Sequence, residues 1–175
     1  TTEEKINFLL EMRASQKANV KMYAEKFGCT FVAGKKPWEV KADICIPCAT
    51  QNEVDLHEAE KMVQNGTRFY FEGANMPATN EAIAYLQNQG VLVGPAKAAN
   101  AGGVAVSALE MSQNSERIHW SKEEVDTKLK EIMFNIVDVS YQASKRYGHP
   151  KDLVIGANIA GFEKVAEAMM AQGLI

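Results

Sequence analysis

Residues 68–93 read RFYFEGANMPATNEAIAYLQNQGVLV, and this stretch decides the fold class. Arg68–Phe71 predicts a strand, Thr79–Gln89 predicts a helix that Gly90 ends, and Val91–Val93 predicts the next strand. A strand, a helix and a second strand at this short spacing form a crossover connection, which joins parallel strands. The stretch therefore predicts an α/β fold built on a parallel sheet.

The same alternation extends upstream. Ala42–Ile46 predicts a buried strand that Pro47 stops, and Asp55 is suited to cap a helix over Leu56–Gln64. Thr30–Val32 is a further short strand candidate.

Helices are also predicted at the start of the chain. Thr1-Thr2-Glu3-Glu4 is typical of a helix start with acids in its first turn, and Ala18–Phe27 predicts a helix that Gly28 ends.

Beyond residue 103 the pattern is helical only. Lys97–Ser115 begins small, polar and glycine-rich, and we expect Gly102 and Gly103 to remove side chains where the backbone passes close to something. A helix follows over Val104–Ser115. Ser121-Lys-Glu-Glu124 is a capping box that opens a long helix, and Ile159–Gln172 predicts the last one. We expect one domain over residues 1–175, with an α/β portion at about 1–103 and a helical portion at about 104–175.

Composition excludes several classes of protein. The chain has 175 residues, 46% of them hydrophobic and 23% charged, with a net charge of −3. A nucleic-acid-binding protein would carry a basic face, and no apolar run approaches the length of a membrane span. No signal peptide opens the chain. The chain has three cysteines, a low and odd number that argues against a disulfide framework. We therefore expect a reducing cytoplasm.

Polar blocks follow the three predicted strands. Cys48–Asn52 follows the first, Gly73–Pro77 the second and Gly94–Gly103 the third. Ligands bind at the carboxyl ends of the strands of a parallel sheet, so three loops are expected to converge on one ligand-binding edge.

Cys45-Ile-Pro-Cys48 admits more than one interpretation. Such a pair serves as a thiol redox centre or as half of a zinc site, and Cys29 with one of the three histidines would have to complete the zinc site. However, Cys45 lies inside an apolar strand and a helix cap appears only at Asp55. We therefore expect buried, reduced, unreactive thiols and no metal.

Five blocks of sequence occur in a fixed order along the chain: Cys48–Asn52, Glu72–Pro77, Lys97–Ser115, Gly156–Gly161 and Ala168–Gly173. Together they resemble the hexameric bacterial glutamate dehydrogenases of the Glu/Leu/Phe/Val dehydrogenase family, over roughly residues 17–175. The resemblance implies the later strands of a Rossmann-type cofactor domain with a C-terminal helical extension.

The resemblance also implies roles for single residues at the cofactor. Ala49 and Thr50 would lie along the cofactor ribose, Asn75 would contact the nicotinamide ribose, and Asn100 would lie beside the nicotinamide and the substrate. From the residues alone, the first two are equally typical of an ordinary turn, Asn75 of a left-handed backbone position and Asn100 of a capping amide. Lys97 is either near the cofactor phosphates or solvated.

Val104 and Ser107 are the substrate-binding residues that the resemblance implies. Three positions apart on a helix, they can face one pocket. Val104 would pack against the carbon chain of the substrate and Ser107 would bind its side-chain carboxylate. Without the flanking sequence, Ser107 is typical of a helix-face hydroxyl.

Several parts of the family pattern are missing here. No G-x-G-x-x-G turn occurs, and neither do the catalytic lysines and aspartate of the N-terminal substrate domain. We therefore expect a C-terminal fragment that has no catalytic residues and is inactive alone. Its parent would be a homo-oligomer, a hexamer in the family, that interconverts L-glutamate with 2-oxoglutarate and ammonia.

Other readings of the function stay open. One is a leucine or phenylalanine dehydrogenase, against which Ser107 argues, and another is a non-catalytic half-Rossmann binding module. Overall likeness to biosynthetic enzymes favours NADP over NAD, although the residues that select between them lie upstream in this fold.

Overall fold

A computed structural model describes residues 2–15 and 19–173. The chain divides into two compact units, one ending at Pro37 and one beginning at Trp38. The assignment of residues 1–175 to a single domain stays a prediction.

The first unit contains two helices. Helix α1 spans Glu3–Ala14 and is capped by Thr2, as expected, whereas α2 spans Val20–Phe27 with Asn19 as its N-cap. Gly28 ends α2 in the left-handed conformation, with φ 64°. Thr1 and Ala18, which the predicted helices included, lie outside the described residues.

The predicted strand at Thr30–Val32 is wrong. The segment is irregular, and the side chains of Phe31 and Val32 are exposed. Strand hydrogen bonds need a partner strand, and no described strand pairs with this segment. A short 3₁₀ turn follows at Pro37–Glu39.

The second unit is built on a three-stranded parallel sheet, which confirms the predicted α/β class. Its strands are β1 (Ile44–Cys45), β2 (Phe69–Phe71) and β3 (Leu92–Gly94), in that spatial order. Helices α3 (Leu56–Gln64) and α4 (Asn80–Asn88) connect them, capped by Asp55 and Thr79.

One face of the sheet holds the core of this unit. Cys45, Tyr70 and Val93 lie in register across the three strands and are all buried. They pack in one cluster with side chains of α3 and α4, which include Met62 and Leu86. The opposite face carries Phe71 and Leu92 and borders an apolar cleft of 470 Å³, which is also lined by residues of the helices that follow the sheet in the chain.

Strand β1 is shorter and less buried than the predicted strand over Ala42–Ile46. Ile44 and Ile46 are 53% and 52% exposed, because β1 is an edge strand with one neighbour and one covered face. A continuous apolar run is typical of a parallel strand that is covered on both faces, so the sequence predicted more burial than the described residues show.

The remaining helices are α5 (Ala96–Ala99), α6 (Ala101–Glu116), α7 (Lys122–Arg146) and α8 (Leu153–Gln172). The capping box at Ser121 and Glu124 is present, as predicted. Helix α8 begins at Leu153, capped by Asp152, rather than at Ile159. No helix in the described ranges is long and apolar enough to cross a membrane.

Helix α6 begins at Ala101, three residues before the predicted start, so the glycine pair lies inside its first turn. A Cβ on Gly102 would make ordinary contacts with Leu129 and Met133, and one on Gly103 would meet nothing within 4 Å. The expectation that both glycines allow a close approach is therefore not met within the described residues.

Candidate functional site

Three loops meet in a depression at the carboxyl edge of the sheet, as the parallel topology predicts. The depression has a volume of about 510 Å³. Each of the three strands is followed by a loop that contributes to its wall. The lining residues are Cys48, Ala49 and Gln51 after β1, Gly73, Ala74 and Asn75 after β2, and Asn100 and Val104 after β3.

Close packing of the first two loops requires a glycine at position 73. A Cβ there would lie 2.5 Å from Cys48 Sγ and 3.2 Å from the carbonyl oxygen of Pro47. The N–H of Ala74 donates to that same Pro47 oxygen at 2.9 Å. The backbone after β2 is therefore held against the loop after β1, and no side chain fills the space between them.

Asn100 ties the second loop to the third. Its amide Nδ2 donates to Asn75 Oδ1 at 2.8 Å and to the carbonyl oxygen of Ala74 at 3.1 Å. Asn100 lies at the N-cap position of α6 but makes no side-chain hydrogen bond to that helix. Two residues that were singled out in the sequence for one ligand thus lie in direct contact.

A second clamp between the same two loops was not foreseen in the sequence. The carboxylate of Glu72 is buried, with the residue only 7% exposed, and its Oε2 accepts a hydrogen bond from the N–H of Ala96 at 2.9 Å. The N–H of Glu72 donates to the carbonyl oxygen of Gly94 at 3.0 Å. Glu72 opens the Glu72–Pro77 block of the resemblance, but nothing in the sequence around it indicated a role of its own.

The neighbouring Tyr70 is a buried phenol. Burial raises its pKa well above the ordinary value, and the charges of Glu72 and Glu53 raise it further. Within residues 2–15 and 19–173, its hydroxyl has no hydrogen-bond partner. Tyr70 therefore stays neutral and contributes packing beneath the loops.

Ala49 and Thr50 differ in position. Ala49 lines the depression, and its N–H donates to Glu53 Oε1 at 3.0 Å. Thr50 is exposed and is not among the lining residues. A ligand contact with the backbone N–H of Ala49 would have to replace or share the bond to Glu53.

Val104 and Ser107 lie one turn apart on α6. Val104 lines the depression with its side chain 78% exposed. Ser107 is exposed, does not line the depression, and donates its hydroxyl to the carbonyl oxygen of Gly103 at 3.2 Å. The structure therefore brings Val104, but not Ser107, to the depression.

The remaining candidates are Lys97 and the two cysteines, of which only Cys48 lies at the depression. Lys97 donates to Asn158 Oδ1 and so joins α5 to α8. Cys45 is buried, with Sγ 3.4 Å from Thr67 Oγ1, whereas Cys48 is exposed in the depression, so the expectation of two buried thiols holds only for the first. Among the described residues, no group of three His, Cys, Asp or Glu side chains could hold a metal ion.

The fold and site define a class of protein. A parallel sheet with helical crossovers and a depression at the carboxyl ends of its strands is typical of ligand-binding α/β domains. The family described as Glutamate/Leucine/Phenylalanine/Valine dehydrogenase matches residues 2–173, and this chain belongs to that family.

Individual relatives agree with this assignment. The chain is 58% identical over 175 residues to the NAD-specific glutamate dehydrogenase of Clostridium symbiosum and 49% identical over 178 residues to the NADP-specific glutamate dehydrogenase of Haemophilus influenzae. Each alignment covers 99% of this chain and 39% of the relative. A solved glutamate dehydrogenase superposes with a TM-score of 0.96 at 58% identity, over 99% of this chain and 39% of that one.

Proposed function

We propose that this chain is the C-terminal, NAD(P)-binding part of a glutamate dehydrogenase, which interconverts L-glutamate with 2-oxoglutarate and ammonia. The observation that carries the proposal is the 58% identity to a glutamate dehydrogenase across almost the whole chain. Because the chain spans about 39% of that relative, the remaining length would supply the substrate domain, its lysines and aspartate, and the pyrophosphate-binding turn.

The depression fits one end of a dinucleotide. Asn75 and Asn100 present amide groups there, and the close packing of Gly73 on Cys48 leaves the backbone of the second loop accessible. Ala49, Thr50, Asn75 and Asn100 would bind and orient the cofactor. The cofactor, when bound, would supply hydride transfer. Relatives with NAD and with NADP in their names support either nucleotide, and our sequence-based preference for NADP stays a prediction.

Substrate recognition would fall to α6. Val104 at the depression would pack against the carbon chain of glutamate, and Ser107 would donate to the side-chain carboxylate. The hydroxyl of Ser107 bonds only to its own helix here, so it can turn towards a ligand without breaking a tertiary contact. Proton transfer would be carried out by residues outside this chain.

The setting of the parent protein is also part of the proposal. We expect a cytoplasmic homo-oligomer, a hexamer as the family resemblance implies, that binds neither nucleic acid nor membrane. The acidic net charge of −3 and the count of three cysteines support this setting.

The test uses the longer protein that contains this chain. Its purified form should reduce NAD or NADP in the presence of L-glutamate, and the isolated 175-residue chain should show no turnover. A preference for leucine or phenylalanine would favour the alternative dehydrogenase. Binding of NAD(P)H without turnover of any amino acid would favour a binding module.

Ser107→Ala tests the assignment of the substrate. A hydrogen bond to a charged group contributes about 1.5–3 kcal/mol, so kcat/KM for glutamate should fall about 10- to 150-fold while cofactor affinity stays unchanged. Ser112→Ala is the matched control, because its hydroxyl makes the same bond to its own helix, to the carbonyl oxygen of Ala108. Equal behaviour of the two variants would show that Ser107 is a helix-face hydroxyl.

A further inference from the structure

The loops after β2 and β3 are joined at two points that lie at opposite ends of α5. At the first, Glu72 Oε2 accepts from the N–H of Ala96, the first residue of the helix. At the second, Asn100, which directly follows the helix, donates to Asn75 and Ala74. The four residues of α5 therefore connect a buried carboxylate to the amide that lines the depression.

The burial of Glu72 and the shortness of α5 both indicate that the contact between them has a structural role. Glu72 is one of the few buried charged residues, and a buried carboxylate is costly unless hydrogen bonds satisfy it. An isolated helix of four residues is not stable, so its position depends on what holds its ends. Pro95 before it has an extended backbone, at φ −69° and ψ 151°, and offers no side-chain cap.

We propose that Glu72 is a positioning residue, which holds the start of α5 so that Asn100 meets Asn75 at the cofactor-binding edge. The inference rests on the proposed function, because the positioned amides are those assigned to the cofactor. Glu72 itself is buried and does not line the depression, so its proposed role is to position Asn100 and not to bind a ligand.

Three substitutions in the longer protein address the two partners separately. Glu72→Ala removes the acceptor, and Glu72→Gln keeps an oxygen that can accept from the Ala96 N–H. Ala96→Pro removes the donor and suits the local backbone, because proline is favoured at the first helical position and the residue before it is already extended. Its ring Cδ replaces the N–H hydrogen that faces Glu72, so the carboxylate also has to move away. Glu81→Ala, which removes an exposed carboxylate from the first turn of α4, is the control.

The main readout is the dissociation constant of NAD(P)H, followed by nucleotide fluorescence. Glu72→Ala and Ala96→Pro should each weaken binding about 10- to 100-fold, the range for a hydrogen bond with a charged partner. The dissociation constant of Glu72→Gln should stay within about threefold of the wild-type value, because a neutral hydrogen bond still holds the start of α5 in place. KM for the cofactor should rise more than kcat falls, since the reacting groups are untouched.

Two further measurements separate this role from general stability. In the double variant, the loss should not exceed that of the larger single variant, because both changes break one bond. Amide hydrogen exchange over residues 94–100 should speed up in Glu72→Ala and stay unchanged in Glu81→Ala. If Glu72→Ala does not fold, the dissociation constants of Glu72→Gln and Ala96→Pro are compared instead, because the first variant keeps the hydrogen bond and the second removes it.

Wild-type affinity in both Glu72→Ala and Ala96→Pro would overturn the inference, and so would additive losses in the double variant. A wild-type protein that neither binds NAD(P)H nor oxidises glutamate would instead refute the proposed function. In that case, hydrogen exchange would still test whether Glu72 positions α5. Faster exchange at residues 94–100 in Glu72→Ala would support that role, and unchanged exchange would rule it out.

Discussion

Gly156→Ala should destabilise the protein, although alanine is the better helix former. Gly156 lies in the first turn of α8, where a Cβ would be 2.0 Å from the carbonyl oxygen of Ser140 and 2.9 Å from the Cβ of Ser144. Both belong to α7, and the nearest atom is backbone that cannot rotate away. The two helices would have to move apart.

The magnitude follows from two opposed terms. Alanine in place of glycine inside a helix gains about 1 kcal/mol of helix propensity. Overpacking a well-packed contact costs about 1–3 kcal/mol, and the 2.0 Å approach to backbone points to the upper end. We expect a net loss of about 2 kcal/mol for Gly156→Ala.

Gly161→Ala is the matched control in the same helix. A Cβ at Gly161 would meet nothing within 4 Å, so this variant should gain about 1 kcal/mol and differ from Gly156→Ala by about 3 kcal/mol. Equilibrium unfolding in urea, followed by far-ultraviolet circular dichroism, measures both. The reasoning would be refuted if Gly156→Ala were as stable as Gly161→Ala.

Three further predictions concern single side chains. Tyr70→Phe removes a buried hydroxyl that has no partner, so the free energy of unfolding in urea should stay level or rise by about 1 kcal/mol, and a marked loss would reveal a bonded hydroxyl. The hydrogen bond to Glu163 raises the pKa of Tyr147 above its ordinary 10.0, so Tyr147 stabilises the fold below pH 10 and less as the pH rises through its folded pKa. The stability advantage of the wild type over Tyr147→Phe should therefore shrink above pH 10, and a constant difference would contradict this. A thiol reagent should label Cys48 quickly and Cys45 slowly in the folded protein, and equal rates would contradict the observed burial.

The starts of α3 and α7 were predictable because their signals are local. Asp55 and Ser121 accept hydrogen bonds from the N–H groups of Glu58 and Glu124, each three residues further on. Such a cap depends only on residues within one turn of it.

The parallel sheet followed from the alternation of strands and helices, and with it the convergence of three loops on one edge. The spatial order of the strands came only from the structure. The family was recognisable from blocks of sequence in a fixed order. The roles of Ala49, Thr50, Asn75, Asn100, Val104 and Ser107 stay predictions.

Features that depend on a partner distant in sequence were not predictable. Thr30–Val32 has strand-like residues but no strand beside it, and the extent and exposure of β1 depend on its place at the edge. Gly156 was expected before the last helix, yet it lies inside α8. The position requires glycine because a Cβ there would collide with α7, a contact that the local sequence does not show.

The hydrogen bond of Glu72 is a further feature that could not be predicted from the sequence. Its partner, the N–H of Ala96, is 24 residues away, and a glutamate that follows a strand is usually a solvated side chain. Local patterns in the sequence specify several helix caps and the sheet edge at which the three loops meet. The hydrogen bonds that join Glu72 to Ala96 and Asn100 to Asn75 form only when the loops after β2 and β3 are brought together by the folded sheet.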